Sequence, residues 1–228
     1  MYAAPCVRTS GYNRATMPLI RAVLFDYGLV LSGPPDPAAW ERLRRLLGAD
    51  DASFHAAYWK PRHDYDRGAL DGPGFWRAVA RELGRSLSAE EVGELLAADV
   101  ELWTQPNKAM IDWAAALQRA GVRTGILSNI GDAMETGVRL RCPWITDFAH
   151  HTFSHRLRMV KPEAGIYRHA IEGLGVPAGQ VLFVDDRLEN VEAARAEVLH
   201  AIQYIGHASF VNTMRESGFE GLPAPEVP

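Results

Sequence analysis

The chain alternates short apolar runs with longer segments whose apolar positions recur at helical spacing. The short runs are rich in Val, Ile, Leu and Phe, which is typical of strands buried on both faces. Clear runs occupy residues 20–25, 122–127, 181–184 and 201–205, and a weaker one occupies 148–153. Helices are predicted after these runs at 108–120, 163–173, 188–198 and 209–216, and a further helix with weaker signals ends at about residue 141. This alternation predicts an α/β fold with a parallel sheet covered on both faces.

Residues 34–105 carry helical patterns throughout and no strand signal. Pro37 opens a helix that Gly48 ends, residues 53–59 form a second candidate, and a third runs from about Phe75 to Gly84. Ser88 followed by Glu91 is a capping box that opens a fourth helix. We therefore predict a small helical cap at 34–105 inserted into a core formed by 19–33 and 106–217. Residues 1–18 are predicted to be a disordered extension and 218–228 a C-terminal tail, whose Pro-rich end at 222–228 is expected to be frayed.

Composition limits the function classes. The 228 residues carry a formal net charge of −4, with Lys and Arg scattered, so no electrostatic footprint for nucleic acid is present. Cys6 and Cys142 provide neither a disulfide framework nor a zinc-finger spacing. No apolar run approaches the roughly 18 residues that a membrane span needs, and the first segment lacks a secretory signal. We expect a cytoplasmic monomer or homodimer with no membrane or nucleic-acid partner.

Polar residues follow the predicted strands where each strand ends. Asp26 follows the first, Ser128 and Asn129 the second, and the Asp185–Asp186 pair the strand at 181–184. The carboxyl ends of parallel strands lie on one side of a sheet, so these side chains should converge, and the Lys that precedes Pro162 could reach the same crevice. Carboxylates, a hydroxyl and an ammonium suit Mg²⁺-assisted phosphoryl transfer, because Mg²⁺ takes oxygen ligands and substrate phosphate.

Together these stretches resemble the four motifs of the haloacid dehalogenase-like superfamily, in the superfamily's order. They are the segments 25–31, Leu127–Ser128–Asn129, Lys161–Pro162–Glu163 and 183–190. The Lys161–Pro162–Glu163 segment and the segment 183–190 are most similar to the matching motifs of the superfamily's small phosphatases. These include sugar-phosphate phosphatases and the phosphatase domain of epoxide hydrolases. The resemblance spans about 19–210 and implies a doubly wound, Rossmann-like core with a helical cap. It also implies a Mg²⁺-dependent phosphatase acting on a small phosphorylated metabolite, such as a sugar phosphate or an acyl phosphate.

The resemblance implies a role for each matching residue. Asp26 is the expected nucleophile, which forms an aspartyl-phosphate that water hydrolyses. Mg²⁺ is expected to bind the Asp26 carboxylate, the Gly28 carbonyl and Asp186, with Asp185 as a further or water-mediated ligand. Phosphate is expected to contact Gly28, Ser128, the Asn129 backbone N–H and Lys161. Asn190 is either a hydrogen-bonding partner of the acidic loop or a helix-surface residue.

Gly28 departs from the resemblance, because the superfamily's phosphatases usually carry a second Asp there as general acid and base. Without this acid, the substrate must have a leaving group that departs without a proton, as in an acyl phosphate. Otherwise water or a residue of the cap must supply the proton. Besides a phosphomutase, which the missing acid would serve poorly, two alternatives stay open. One is the superfamily's metal-free dehalogenation, which the Asp185–Asp186 pair disfavours because the dehalogenases have small polar residues there. The other is a catalytically idle binding module.

The segment 58–68 joins two cap helices and mixes aromatic residues with Arg and His. Such residues above a phosphate site could stack on a sugar or bind a second anion, whereas the alternative is helix packing with solvated charges. Within this segment we predict that Tyr65 and Arg67 contact the substrate. Trp103 and Trp113 are predicted to be core residues, and His150, His151 and His155 to be strand and loop residues rather than zinc ligands.

Overall fold

The structure is a computed structural model that describes residues 18–226. Five parallel strands form one sheet in the order β3-β2-β1-β4-β5. They are β1 (Ala22–Phe25), β2 (Arg123–Ser128), β3 (His150–Phe153), β4 (Val181–Asp185) and β5 (His200–Gln203). The predicted α/β fold with a parallel sheet is confirmed, and each strand lies within three residues of its predicted bounds.

Side chains of the strands alternate between two cores, because successive residues of a strand point to opposite faces. Val23 and Phe25 belong to one cluster, with Trp113 and Phe210, whereas Ala22 and Leu24 belong to the other. Five helices of the core cover the two faces of the sheet. They are α6 (Lys108–Arg119), α7 (Asp132–Arg141), α9 (Ala164–Leu174), α10 (Leu188–Ala196) and α11 (His207–Ser217). The sheet is therefore doubly wound, and Trp113 is a core residue as predicted.

The register of the three central strands aligns their polar ends. Phe25 is paired with Ile126 on β2 and with Val184 on β4. Asp26 directly follows Phe25, Asp185 directly follows Val184, and Ser128 lies two residues after Ile126. All three therefore lie at the same edge of the sheet. This is the edge at which the sequence predicted convergence.

Between β1 and α6 the chain forms five helices with a hydrophobic cluster of their own, built around Tyr58, Phe75 and Trp76. They are α1 (Pro37–Leu47), α2 (Asp51–Trp59), α3 (Arg62–Asp66), α4 (Gly72–Glu82) and α5 (Ala89–Trp103). The capping box of Ser88 and Glu91 is present at the start of α5. The chain enters and leaves this helical segment through two adjacent stretches, since Ser32 and Pro106 form an antiparallel bridge.

Short elements escaped the sequence prediction. A single turn at Tyr27–Leu31 follows β1, and the five-residue α3 and four-residue α8 (Ser154–Leu157) were not predicted. Two short 3₁₀ segments, Pro143–Asp147 and Ala178–Gln180, were also missed. Segments this short lack a full apolar period, so contacts with the rest of the protein decide them.

The predicted fraying of the C-terminal tail is wrong for its described part. The indole N–H of Trp113 donates to the Pro223 carbonyl at 2.9 Å, and the Glu226 carbonyl contacts His207 Nε2 at 2.7 Å. The Glu220 N–H donates to Pro18, so residue 18 also contacts the core. The rest of the predicted N-terminal extension, with Cys6, lies outside the described residues. Among residues 18–226, no helix has both the length and the apolar character to cross a bilayer.

Candidate active site

The site residues predicted in the core meet in one pocket at the carboxyl edge of the sheet. Asp26, Gly28, Ser128, Asn129, Lys161 and Asp186 all line it, and the cavity volume is about 180 Å³. Asp185 lies directly beneath the pocket and is fully buried. The sequence therefore brought these residues together correctly, but it did not single out Tyr27, Leu29, Ile130, Met134 or Arg187, which also line the core side of the pocket.

Lys161 joins two of the carboxylates. Its Nζ lies 2.8 Å from Asp26 Oδ1 and 2.6 Å from Asp185 Oδ2, and its side chain is almost completely buried. Burial by itself lowers the pKa of Lys161, but the two carboxylates outweigh it and the pKa is raised. The ammonium is therefore charged and restrains the Asp26 side chain.

Asp185 is saturated by protein donors. Besides Lys161, it accepts hydrogen bonds from the Arg187 N–H at 2.8 Å and from Asn190 Nδ2 at 2.9 and 3.1 Å. Asn190 is 2% exposed, so the surface alternative for this residue is wrong. Asp186 differs from Asp185, because it is partly exposed and faces the pocket.

The carboxylates exceed the positive charge available to them. Burial raises the pKa of Asp26 well above its ordinary value, and repulsion from Asp185 and Asp186 adds to this against the opposing effect of Lys161. Burial, followed by repulsion from Asp185, also raises the pKa of Asp186. One ligand oxygen from each of the three lies within 4.8 Å of the others. A divalent cation bound there would offset this repulsion, and three hard oxygen donors fit Mg²⁺.

Asn129 has a structural role that the sequence did not reveal. Its Oδ1 accepts from the Lys161 N–H at 2.8 Å, and its Nδ2 donates to the Lys161 carbonyl at 3.1 Å. The amide thus holds both sides of the Lys161 backbone. Ser128 Oγ, by contrast, lines the pocket without a hydrogen-bond partner among the described residues.

The helical segment contributes Trp59, Arg62, Asp66 and Trp103 to the pocket. Trp103 was predicted to be a core residue, and its partial exposure to the pocket corrects this. Arg62 and Asp66 were missed although they lie one turn apart, a spacing that brings opposite charges together on a helix face. Arg62 Nε does donate to Asp66 Oδ1 at 2.9 Å. That spacing was the available signal.

Tyr65 and Arg67, the predicted substrate contacts, do not line the pocket. Tyr65 is 1% exposed, stacks on Phe75 and packs against Gly131, where a Cβ would come within 2.1 Å of the ring. Arg67 forms an ion pair with Glu163 and donates to the Arg158 carbonyl. Both residues instead connect the helical segment to the core, so their positions do not support the predicted substrate contact.

The three histidines at 150, 151 and 155 have separate partners. His155 Nε2 lies 2.7 Å from Glu135, His151 Nε2 lies 2.8 Å from the Ile145 carbonyl, and the His150 ring packs near His169. Within residues 18–226, the group of acidic, His or Cys side chains close enough to share a metal is Asp26, Asp185 and Asp186.

A family model for haloacid dehalogenase-like hydrolases matches residues 20–196 of the chain. The chain therefore belongs to the haloacid dehalogenase-like hydrolase family, as the motifs predicted.

Two curated relatives illustrate the range of the family. Phosphatase MT3486 of Mycobacterium tuberculosis is 26% identical over 188 residues, which cover 80% of this chain and 86% of the relative. Drimenol cyclase drtB of Aspergillus calidoustus is 26% identical over 189 residues, which cover 82% of this chain. The matched region spans only 34% of that cyclase, so the chain corresponds to about a third of the larger protein.

Solved structures share the fold. The HAD family enzyme BT-2542 of Bacteroides thetaiotaomicron superposes with a TM-score of 0.72 at 18% identity, covering 86% of this chain and 99% of that one. Its complex with magnesium and inorganic phosphate gives 0.65 at 19% identity, covering 81% and 93%. L-2-haloacid dehalogenase of Xanthobacter autotrophicus gives 0.65 at 21% identity, covering 88% and 84%.

Proposed function

We propose that this protein is a Mg²⁺-dependent phosphatase that hydrolyses a small phosphorylated metabolite through an aspartyl-phosphate on Asp26. The observation that carries the proposal is the cluster of Asp26, Asp185 and Asp186 around the single ammonium of Lys161. A carboxylate nucleophile needs such a cation, because the phosphoryl group that it attacks is itself anionic.

The chain's own residues account for the first step. Lys161 fixes one Asp26 oxygen, and the Tyr27 N–H donates to the same oxygen at 2.7 Å, so the other oxygen is the one that attacks phosphorus. The Ser128 hydroxyl and the Asn129 backbone N–H bind phosphoryl oxygens, while Lys161 offsets their charge. The Asp26–phosphorus bond forms as the bond to the leaving oxygen breaks, and water then cleaves the aspartyl-phosphate.

Magnesium fits the remaining donors. Asp26 and Asp186 would hold it with the Gly28 carbonyl, and Asp185 would act mainly by orienting Lys161, since its oxygens already accept four hydrogen bonds. When bound, Mg²⁺ supplies charge neutralisation of the phosphoryl group. The magnesium and phosphate complex of the BT-2542 enzyme and the naming of MT3486 as a phosphatase are consistent with this chemistry.

The size of the pocket supports a small substrate. About 180 Å³ is below the roughly 300–1,000 Å³ of typical ligand pockets, and the walls include Trp59 and Trp103. A sugar phosphate or an acyl phosphate has suitable dimensions. We further propose that residues 34–105 act as a cap over this pocket, with hinges at 33–35 and 104–106. The Gly33 N–H donates to the Gln105 carbonyl at 2.6 Å, so the two hinge segments are directly joined.

The test is hydrolysis of p-nitrophenyl phosphate with and without Mg²⁺, comparing the wild type with Asp26→Asn. We expect metal-dependent turnover that disappears in the variant, because an amide cannot act as the nucleophile. Turnover that survives Asp26→Asn would exclude Asp26 as the nucleophile. An absence of turnover toward p-nitrophenyl, sugar and acyl phosphates alike would favour the idle binding module.

A further inference from the structure

Gly28 leaves the nucleophile loop without an acid, although a side chain would fit there. A Cβ built on Gly28 has no atom within 4 Å, and the backbone angles, φ −65° and ψ 131°, are open to any residue. Steric exclusion therefore does not explain the glycine. The proton for the leaving oxygen must come from another group if the substrate is an alkyl phosphate.

Asp66 is the one carboxylate of residues 18–226 that lines the pocket outside the Asp26–Asp185–Asp186 cluster. It comes from the helical segment, whereas Asp26 comes from the core. Its backbone is fixed to the core: Ser154 Oγ donates to the Asp66 carbonyl at 2.5 Å and accepts from the Ile130 N–H at 2.8 Å. Ile130 directly follows Ser128 and Asn129, so Asp66 is anchored to the loop that would bind the phosphoryl group.

Asp66 belongs to a hydrogen-bonded group of side chains in the helical segment. Arg62 donates to Asp66 and, at 2.8 Å, to the Tyr58 hydroxyl, which in turn donates to the buried Asp99 at 2.8 Å. The guanidinium is thus linked directly to Asp66 and, through the Tyr58 hydroxyl, to the buried Asp99. Removal from water disfavours the charged form of a carboxyl in such a group.

The pKa values follow this arrangement. Burial raises the pKa of Asp66, although Arg62, His63 and Lys161 lower it. Burial also raises the pKa of Asp99 to about 6, and the charge of Asp66 adds to the effect. The Asp66 carboxyl therefore keeps its proton to a higher pH than it would in water.

We propose that Asp66 acts as the general acid and base of the reaction in place of the missing carboxyl at position 28. This inference rests on the proposed phosphatase function. As the phosphorus–oxygen bond breaks, the Asp66 proton passes to the leaving oxygen, which departs as an alcohol, and Asp66 becomes a carboxylate. In the second step, Asp66 takes a proton from the water that attacks the aspartyl-phosphate. Phosphate is released and both aspartates return to their starting states.

The test compares two substrates that differ in leaving group, p-nitrophenyl phosphate and glycerol phosphate, in the wild type and Asp66→Asn. Nitrophenolate departs without a proton, whereas an alkoxide does not. We expect kcat for glycerol phosphate to fall by about 10²–10⁴-fold in the variant, the usual contribution of a general acid, with a much smaller change for p-nitrophenyl phosphate.

Two further variants serve as control and rescue. Asp64→Asn removes an exposed carboxylate from the same helix, at a residue that does not line the pocket, so the ratio of the two rates should stay as in the wild type. Gly28→Asp added to Asp66→Asn places an acid at the open position and should restore turnover of glycerol phosphate. Thermal unfolding of each variant checks its folding.

Equal losses for both substrates in Asp66→Asn would overturn the inference and assign Asp66 a structural role. The wild type offers a second measurement, should Asp66→Asn not fold: an enzyme with a bound acid shows a shallow dependence of kcat/KM on leaving-group pKa. A steep dependence would overturn the inference while leaving the phosphatase intact. A wild type that hydrolyses no phosphate ester would instead overturn the proposed function, and this inference with it.

Discussion

Asn129 links the phosphate-binding loop to the lysine that holds the nucleophile. Its amide contacts both the N–H and the carbonyl of Lys161, whose ammonium contacts Asp26. A residue that the sequence suggested only for its backbone N–H therefore also positions the charge of Lys161.

Asn129→Ala should lower kcat with little change in KM. The variant leaves the Lys161 N–H without its partner, a loss of about 1–3 kcal/mol for a buried donor, and each 1.4 kcal/mol transmitted to the transition state is about tenfold in rate. Steady-state kinetics with p-nitrophenyl phosphate measures the effect. Gln118→Ala is a matched control, because that amide donates to Thr124 away from the pocket. An unchanged kcat in Asn129→Ala would show that Lys161 needs no such support.

Residues on the core side of the pocket could be predicted because strand ends fix them. Asp26, Ser128 and Asp185 each end or follow a buried apolar run, and parallel strands place their carboxyl ends together. Arg62 and Asp66 could not be selected in this way. Their contribution depends on which face of α3 turns toward the pocket, and the packing of Tyr65 against Gly131 decides that.

Helix α7 is joined to α8 through a single buried carboxylate. Glu135 contacts Arg139 on its own helix, and His155 and Arg156 on α8, each at 2.7 Å. Burial alone raises the pKa of Glu135, but these donors outweigh it and lower the pKa to about 2. A four-residue helix such as α8 has little stability of its own, so this contact stabilises it.

The stabilisation by Glu135 should be lost in acid. A carboxyl whose folded pKa is about 2 and whose ordinary value is 4.5 stabilises the protein fully above pH 4.5 and progressively less as pH falls toward 2. The shift corresponds to about 3 kcal/mol. Urea unfolding of the wild type and Glu135→Gln should give a large difference at pH 6 that shrinks at pH 3.

The matched control is Asp112→Asn, which removes an exposed pair with Lys108 and should have a small effect at either pH. A difference between wild type and Glu135→Gln that stays constant from pH 6 to pH 3 would show that folding does not lower the pKa of Glu135. Helices long enough to show a full apolar period, such as α1 and α5, could be predicted from the sequence. Prediction failed for α8, which depends on these ion pairs.

The helical segment packs closely against the core where α7 faces α5. Gly137 on α7 lies against Val100 on α5, and a Cβ added to the glycine would come within 2.2 Å of a Val100 methyl. Gly72 at the start of α4 is similarly close to Ala133 on α7. The sequence predicted a separate helical unit, but it could not predict this approach, because a glycine inside a helix pattern does not reveal its partner.

Gly137→Ala should destabilise the protein by about 1–3 kcal/mol, the usual cost of overpacking, and lower Tm. Gly93→Ala is the matched control, because Gly93 lies on α5 with no atom near its would-be Cβ, and the gain in helix propensity should raise stability by about 0.5–1 kcal/mol. Thermal unfolding of both variants provides the measurement. Stabilisation by Gly137→Ala would mean that α5 and α7 are farther apart in solution than in this structure.

The central claim is that Asp26 carries the phosphoryl group, and trapping that group tests it most directly. The wild type is mixed with acetyl phosphate and Mg²⁺, quenched in acid during the first turnovers, and digested for peptide mass spectrometry. We predict a hydroxylamine-sensitive phosphoryl group on the peptide that contains Asp26, and none in Asp26→Asn. Phosphate release accompanied by a phosphoryl group on another residue, or by no phosphoryl-enzyme at all, would contradict the mechanism.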